Sequence, residues 1–459
     1  MASFDYDVIV IGSGAGGSVA AQQIAKSGKS VAIVEADTLG GQVLNNSSVP
    51  TKALIHAASV FETAKRGSAF GIRATTVGYN YPSVKAWKDT VLRLTKKAYS
   101  EDTYTNQGIS LIKGKAYFLD DKTISIGTAR FTAKNFIIAT GSELVLPEIA
   151  GLSKVGFLTH KEAIDLNRPP KTLAVIGGGE SGVEFAQLFA IFGSKVTIVE
   201  SSSTLLGNEE PETAKLIEER FKKEYGMSVL LNTTVTSVSK SGLKRSLQLA
   251  RGGKTGQLVV DEILLATGKK AVVDIGLENA KVVHTPSQIK TNRYQQTSAK
   301  NIFAIGDCAG PYHYTHAAAY QGQVVAHNVV HQKSPVEARY KAIPRSIFTN
   351  PQIASTGLTE KQLKEKGVQY KSVVVPISVV AKSATNGFYD GFIKVMASQQ
   401  NDVILGASIV CPEASELIGE LSLAIQYNLT AKQIAHTVHS FGTWSEIIRV
   451  ACAKLAKVS

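Results

Sequence analysis

Short apolar runs that stop at glycine set the rhythm of this chain. Val8-Ile9-Val10-Ile11 carries no polar alternation, which predicts a parallel strand buried on both faces. It leads into Gly12-Ser13-Gly14-Ala15-Gly16-Gly17 and then a helical stretch to about Lys26. A second strand, Ser30 to Val34, stops at Glu35. The order then recurs. Thr172 to Ile176 predict a strand, Gly177-Gly178-Gly179-Glu180-Ser181-Gly182 opens a helix, and Lys195 to Val199 end at Glu200. A further apolar strand, from Asn301, closes on Gly306-Asp307. Beyond that the period changes. Alternating apolar positions around 369–380 and 392–396 predict antiparallel strands, and Glu413 to Tyr427 reads as an amphipathic helix.

The glycines carry the first chemistry. Gly12, Gly14 and Gly17 take the three positions of G-x-G-x-x-G: a tight turn, close approach of backbone to a pyrophosphate, and close helix–strand packing. Gly177, Gly179 and Gly182 repeat the spacing. Each helix start offers free N–H groups to phosphate, and the acidic strand ends, Glu35 and Glu200, are placed to accept ribose hydroxyls. Two such folds imply two dinucleotides, one able to reduce the other. A carboxylate at Glu200 repels a 2′-phosphate, and Ser201-Ser202-Ser203 brings no arginine to hold one. NADH is therefore expected over NADPH.

Length and composition narrow the class. The 459 residues are too many for one domain and fit roughly three. No run of about 20 apolar residues predicts an integral membrane segment. Met1-Ala2-Ser3-Phe4-Asp5-Tyr6-Asp7 lacks a basic leader and runs straight into a strand, so no signal peptide is expected. The three cysteines, Cys308, Cys411 and Cys452, lie far apart; they read as packing residues, with no disulfide framework and no metal site. That usage fits a reducing cytoplasm. The net charge of +13 is dispersed, with small groups such as Lys96-Lys97 and Lys269-Lys270. It reads as a solvated exterior with attraction for dinucleotide phosphates, and nucleic acid is not expected.

Gly40-Gly41-Gln42-Val43-Leu44-Asn45-Asn46-Ser47-Ser48-Val49-Pro50-Thr51-Lys52 resembles the redox loop G-G-T-C-L-N-x-G-C-x-P-S-K of the flavoprotein disulfide reductases, the family of dihydrolipoamide dehydrogenase, glutathione reductase and mercuric reductase. The two cysteine positions hold Val43 and Ser48, which cannot form a thiol–disulfide couple. The resemblance implies an α/β fold of two Rossmann-like dinucleotide-binding domains, for FAD and NAD, plus a C-terminal α+β dimerisation domain. It places the FAD domain at 1–147 and 271–340, the NAD domain at 148–270 and the interface domain at 341–459, in a two-fold homodimer.

Further positions follow from the same resemblance. Gly306 and Asp307 match the second FAD signature, whose aspartate binds the ribityl chain. His316 and Ala317, in Tyr314-Thr315-His316-Ala317, match a helix start facing the flavin pyrimidine edge. Thr140-Gly141 and Gly268 sit where the chain crosses between the dinucleotide domains. Lys52 and Glu184 match an ion pair beside flavin N5, the catalytic pair expected here. The interface motif H-x-H-P-T-x-S-E corresponds to His439-Ser440-Phe441-Gly442-Thr443-Trp444-Ser445-Glu446. Phe441 then replaces the catalytic histidine, and a register shift of two would put His439 there instead.

Loss of both the sulfur pair and the histidine removes one functional unit. The expected activity is that of an FAD-dependent oxidoreductase passing hydride from NADH to flavin and then directly to a small, quinone-like acceptor. Phe441 and Trp444 would either line an apolar slot for it or serve as plain interface packing. Two alternatives remain: a non-catalytic flavin-binding scaffold or regulatory subunit, and a dihydrolipoamide dehydrogenase-like reductase borrowing thiols from a partner.

Overall fold

The computed structural model describes residues 4–73 and 76–457, so Met1, Ala2 and Ser3 of the N-terminal reading lie outside the described residues. A seven-stranded sheet begins the chain. At its centre Tyr6–Ile11 runs parallel to Val31–Glu35 on one side and Ala129–Ile138 on the other, with Val10 opposite both Ile33 and Ile137. Val8, Ile9 and Val10 have no exposed surface, as an unbroken apolar run demands when both faces are covered. Ile302–Ala304 comes back from far along the chain to pair parallel with Ala129–Ile138. Only this return completes the sheet, and it brings Gly306 and Asp307 to the carboxyl ends of the first strands.

Helices Ala15–Lys26 and Thr315–Val330 pack at backbone distance. A Cβ on Gly16 would lie 2.8 Å from the carbonyl oxygen of Ala318, and one on Gly322 would lie 2.5 Å from that of Gly16. Larger residues would push the helices apart. Their starts therefore bound one cavity.

The second unit repeats the plan with four parallel strands, in the order Ser228–Leu230, Lys195–Val199, Thr172–Ile176, Glu262–Leu265. A three-stranded meander, Thr234–Ser241, Lys244–Arg251 and Lys254–Val260, covers it. The two crossings between units pair as Ser142–Leu144 with Lys269–Ala271. The third unit is a five-stranded antiparallel sheet in the order Arg345–Ile347, Gln352–Gly357, Ile404–Cys411, Phe392–Ser398, Tyr370–Pro376. Helices Ala414–Gln426 and Glu446–Ala456 contribute to its core. Alternation around 369–380 thus gives a strand only to Pro376, where a 3-10 turn at Ile377–Val379 takes over.

One ion cluster locks the second and third units together. Lys394, 2% exposed, reaches Glu210 and Glu212 at 2.8 Å and Glu360 at 2.7 Å. A buried ammonium requires such partners. Among the described residues no helix is long and apolar enough to cross a membrane.

Candidate active site

Each glycine loop is a cradle whose shape is set by missing side chains. Gly12 has φ +105° and Gly177 +108°, and a Cβ on either would meet a carbonyl oxygen, of Ala139 or Ala266, at 2.3 Å. Gly17 and Gly182 approach the carbonyl oxygens of Gly12 and Gly177, which a Cβ would meet at 2.0 Å. Gly14 and Gly179, the residues before each helix, face open space. Neither helix start has a side-chain cap, so its free N–H groups remain available to an anion. This geometry fits a pyrophosphate at both loops.

The acidic strand ends are fixed by the same loops. Glu35 accepts from the Ser13 N–H at 2.8 Å and its hydroxyl at 2.5 Å, and from the Asp37 N–H at 2.9 Å. Glu200 accepts from the Gly178 N–H at 2.6 Å and the Ser202 N–H at 2.7 Å. Burial raises the Glu200 pKa, but the bonds from Ser202 and Gly178 outweigh it and leave the carboxyl below its ordinary value. It presents a negative charge, which fits an unphosphorylated ribose.

The first loop opens into a long cavity that runs past Glu35 to Thr140, Gly141, Gly306 and Asp307. Val43 and Ser48 both line it, from helix Gly41–Asn45 and the start of helix Ser48–Lys65. Asp307 accepts from the Ser142 hydroxyl at 2.6 Å, and the Ser142 carbonyl accepts from the Gln42 amide at 2.6 Å. That chain ties the loop carrying Val43 to Asp307. Ser142, an ordinary polar residue beside a motif, and Gln42, inside the loop at a position given no role, carried no signal in the sequence. Lys269, one of the dispersed basic residues, also lines this cavity.

At the crossings, the Thr140 hydroxyl donates to the Val272 carbonyl at 2.7 Å, and the Gly306 N–H donates to the buried Gln321 side chain at 2.6 Å. Gly268, at φ +95°, shapes the second crossing without lining the cavity. The helix begins at Thr315, inside the expected segment. Thr315 and Ala318 line the cavity, whereas Ala317 is fully buried and the His316 ring binds the Pro344 carbonyl at 2.8 Å. A helix turns about 100° per residue, so adjacent positions face different neighbours.

Lys52 and Glu184 meet at 2.7 Å, with Glu184 only 7% exposed. The other Glu184 oxygen accepts from the Phe348 N–H at 2.9 Å, and the Lys52 ammonium lies 4.8 Å from the Phe348 ring centre. One helical turn earlier stands Glu180, which sequence reasoning passed over. Tyr314 donates to it at 3.0 Å. Nearby, Arg345 pairs with Glu209 at 3.1 Å. The available signal was the i, i+4 spacing of Glu180 and Glu184 on one helix face.

At the far end of the chain, Phe441 is 83% exposed. Trp444 is not: it is 5% exposed within the core of its own unit, so it cannot line a slot in a partner. His439 is held inside its own subunit, with Nε2 3.0 Å from Glu420 and Nδ1 2.9 Å from the Thr437 carbonyl. Glu446 accepts from the Gly442 N–H at 2.8 Å. The three cysteines are unpaired and buried. Burial pushes Cys411 and Cys452 up to about 12 and raises Cys308 as well, so none offers a ready thiolate.

Comparison with known proteins agrees with this geometry. Residues 6–322 match the pyridine nucleotide-disulphide oxidoreductase family, and residues 343–452 match its dimerisation domain. The chain is 33% identical to a mercuric reductase of Staphylococcus aureus, over 99% of this chain and 83% of the relative. It is 34% identical to a dihydrolipoyl dehydrogenase of Geobacillus stearothermophilus, over 97% and 95% respectively. In fold it matches the HOCl-induced flavoprotein disulfide reductase RclA from Escherichia coli, with TM-score 0.87, 25% identity, and coverage of 98% of this chain and 99% of that one. LpdA from Mycobacterium tuberculosis, at 24% identity and TM-score 0.89 over 98% and 99% of the chains, shares the fold. FAD and NAD(H) are the cofactors of this group, and both cradles fit them. The chain is a flavin-dependent member of the pyridine nucleotide-disulphide oxidoreductase family.

Proposed function

We propose that this protein oxidises NADH and hands the electrons from its flavin directly to a small acceptor of the quinone or dye type, with no protein disulfide between them. The observation that carries this reading is the pair Val43 and Ser48 lining the first-loop cavity, at the positions that resemble those of a redox couple. FAD, when bound, takes the hydride and passes on the electron pair; the chain's own groups position and bias that exchange. Lys52, paired with Glu184, places positive charge where reduction adds negative charge. A separate cleft bordered by Lys52, Phe348 and Phe388 lies beside this ion pair.

Disulfide reductase activity is absent in this reading, since Phe441 also stands at the acid–base position. Val438, Phe441 and Tyr427 expose apolar surface, 94%, 83% and 68% respectively, which supports a homodimer closing over them. The buried, unpaired cysteines suit a reducing compartment such as the cytoplasm. One observation favours a second reading: relatives named mercuric reductase, dihydrolipoyl dehydrogenase and disulfide reductase all point to thiol-linked chemistry, which this chain would need a partner's cysteines to perform.

A steady-state panel decides between them. NADH should be oxidised by quinones and not by lipoamide or oxidised glutathione, and NADPH should serve poorly. Turnover of dihydrolipoamide by the protein alone would overturn the direct route. Failure of NADH to bleach the bound flavin anaerobically would leave only the scaffold. Restoring cysteines by Val43→Cys with Ser48→Cys should yield no disulfide reductase activity until Phe441→His is added.

A further inference from the structure

The Lys52–Glu184 pair does not account for every charge beside the second loop. Glu180 is the first residue of helix Glu180–Ile191, directly after Gly179, and one turn from Glu184. Its carboxylate accepts from Tyr314, which stands between His313 and Thr315, two residues that line the flavin cavity. Tyr314 thereby joins the start of the second-loop helix to the segment that borders the flavin cavity. The corresponding position of the first loop is Ala15, so phosphate cradling does not require a carboxylate there.

The surroundings of Glu180 are unbalanced. Tyr314 stacks on His316 at 5.6 Å between ring centres, and the next segment supplies Arg345, already paired with Glu209. Glu209 is 2% exposed, and its second oxygen is buried without a hydrogen-bond partner. Glu184 is matched by Lys52. The groups facing Glu180 are thus Tyr314, Glu209, Glu184 and Arg345, with His313 and His316 flanking the tyrosine. Arg345, already paired with Glu209, only partly offsets the charge of Glu180.

We propose that Glu180, held by Tyr314 beside the second glycine loop, makes the site distinguish oxidised from reduced nicotinamide by charge. The ring of NAD+ is positive and that of NADH is neutral. An ionised Glu180 attracts only the first, and a protonated one attracts neither, so the protonation state sets how long product NAD+ is retained. Burial, opposed by the Tyr314 bond and reinforced by Glu209 and Glu184, raises this carboxyl above its ordinary value. Its ionisation therefore falls at higher pH than that of an ordinary glutamate. This inference rests on the reading that NADH binds at the second loop.

The test uses the FAD-loaded protein and two non-reducing ligands, NAD+ and tetrahydro-NAD, whose ring is uncharged. Their dissociation constants, followed by flavin absorbance shift or calorimetry between about pH 5 and pH 8, give a preference ratio. Preference for NAD+ should grow ~10-fold as pH rises in the native protein and stay flat in Glu180→Gln, which keeps an acceptor for Tyr314. Tyr314→Phe removes a bond that favours the ionised form, so the inflection should move to higher pH. A pH-independent ratio in the native protein, or an unchanged slope in Glu180→Gln, overturns the proposal. If Glu180→Gln does not fold, an unmoved inflection in Tyr314→Phe overturns it instead. If neither ligand binds, the underlying reading of the second loop fails; if both bind with parallel pH profiles, only the charge discrimination fails.

Discussion

The two glycine loops are built alike down to single backbone contacts. Gly12 and Gly177 have φ values within a few degrees of each other, and in each unit the carbonyl just past a neighbouring strand, of Ala139 or Ala266, would collide with any added Cβ at 2.3 Å. Each places a glutamate from the next strand onto a loop N–H, Glu35 on Ser13 and Glu200 on Gly178. They differ in what lies around that frame. The first helix packs against Thr315–Val330 through Gly16 and Gly322 and opens into the cavity holding Val43, Ser48 and Asp307. The second begins with Glu180 and carries Glu184 on to Lys52. Backbone geometry thus fits a dinucleotide at both loops, and the side chains one turn away are where the two sites differ.

The largest effect should come from breaking each loop in turn. Gly12→Ala and Gly177→Ala both force a side chain into a positive-φ position and onto a carbonyl oxygen, at a cost of about 3 kcal/mol or more. Consequences should separate by unit. Gly12→Ala should yield little or colourless protein, because its loop also anchors the central sheet. Gly177→Ala should remain yellow yet lose most of its reduction by NADH. The absorbance ratio of flavin to protein and anaerobic bleaching with NADH measure the two. Equal flavin loss in both variants would erase the assigned division of labour.

The fold was legible in the sequence wherever the information was local. A strand, a glycine loop and an acidic strand end are contiguous within about thirty residues, and each is dictated by steric limits that admit few alternatives. Lys52 and Glu184 also lay on their motif positions, although 132 residues separate them. What stayed hidden depends on chain segments meeting in space. Tyr314 reaches Glu180 across 134 positions, and nothing near either residue announces it. Trp444 and Phe441 look equivalent as letters, yet one fills its own core and the other projects outward, because a single-residue change in direction decides burial.

A second, smaller effect sharpens the assignment of the glutamates. Glu200→Ala should weaken NADH about tenfold, as loss of a charged hydrogen-bond acceptor does, while removing the repulsion that disfavours NADPH. The ratio of kcat/KM for NADH to that for NADPH should fall accordingly. Glu35→Ala should leave this ratio unchanged and lower FAD retention instead, with the Ser13 N–H and hydroxyl left without their partner. A shift of coenzyme preference in Glu35→Ala would mean the nucleotides are exchanged between loops.

The smallest expected effect lies in how acid loosens each unit. Asp7 accepts from the Ser30 N–H at 2.9 Å and pairs with Lys134 at 2.7 Å; Asp261 accepts from the Thr172 N–H at 2.8 Å, with Lys244 no nearer than 3.9 Å. The Lys134 bond, helped by Ser30, lowers Asp7 to about 2, and the Thr172 hydroxyl lowers Asp261. Because both folded values lie below the unfolded one, each carboxylate stabilises its unit above that unfolded value and loses the contribution as pH falls through the folded one. For Asp7 the window runs from 3.8 down to about 2. Both groups are partly solvated, so screening keeps each contribution small. Asp7→Asn should flatten the fall in urea midpoint across that window, followed by release of flavin fluorescence, whereas Asp261→Asn should leave flavin release unchanged. Identical acid slopes for native protein and Asp7→Asn would show that the lysine pair adds nothing to the first unit, and that the two strand entries are equivalent after all.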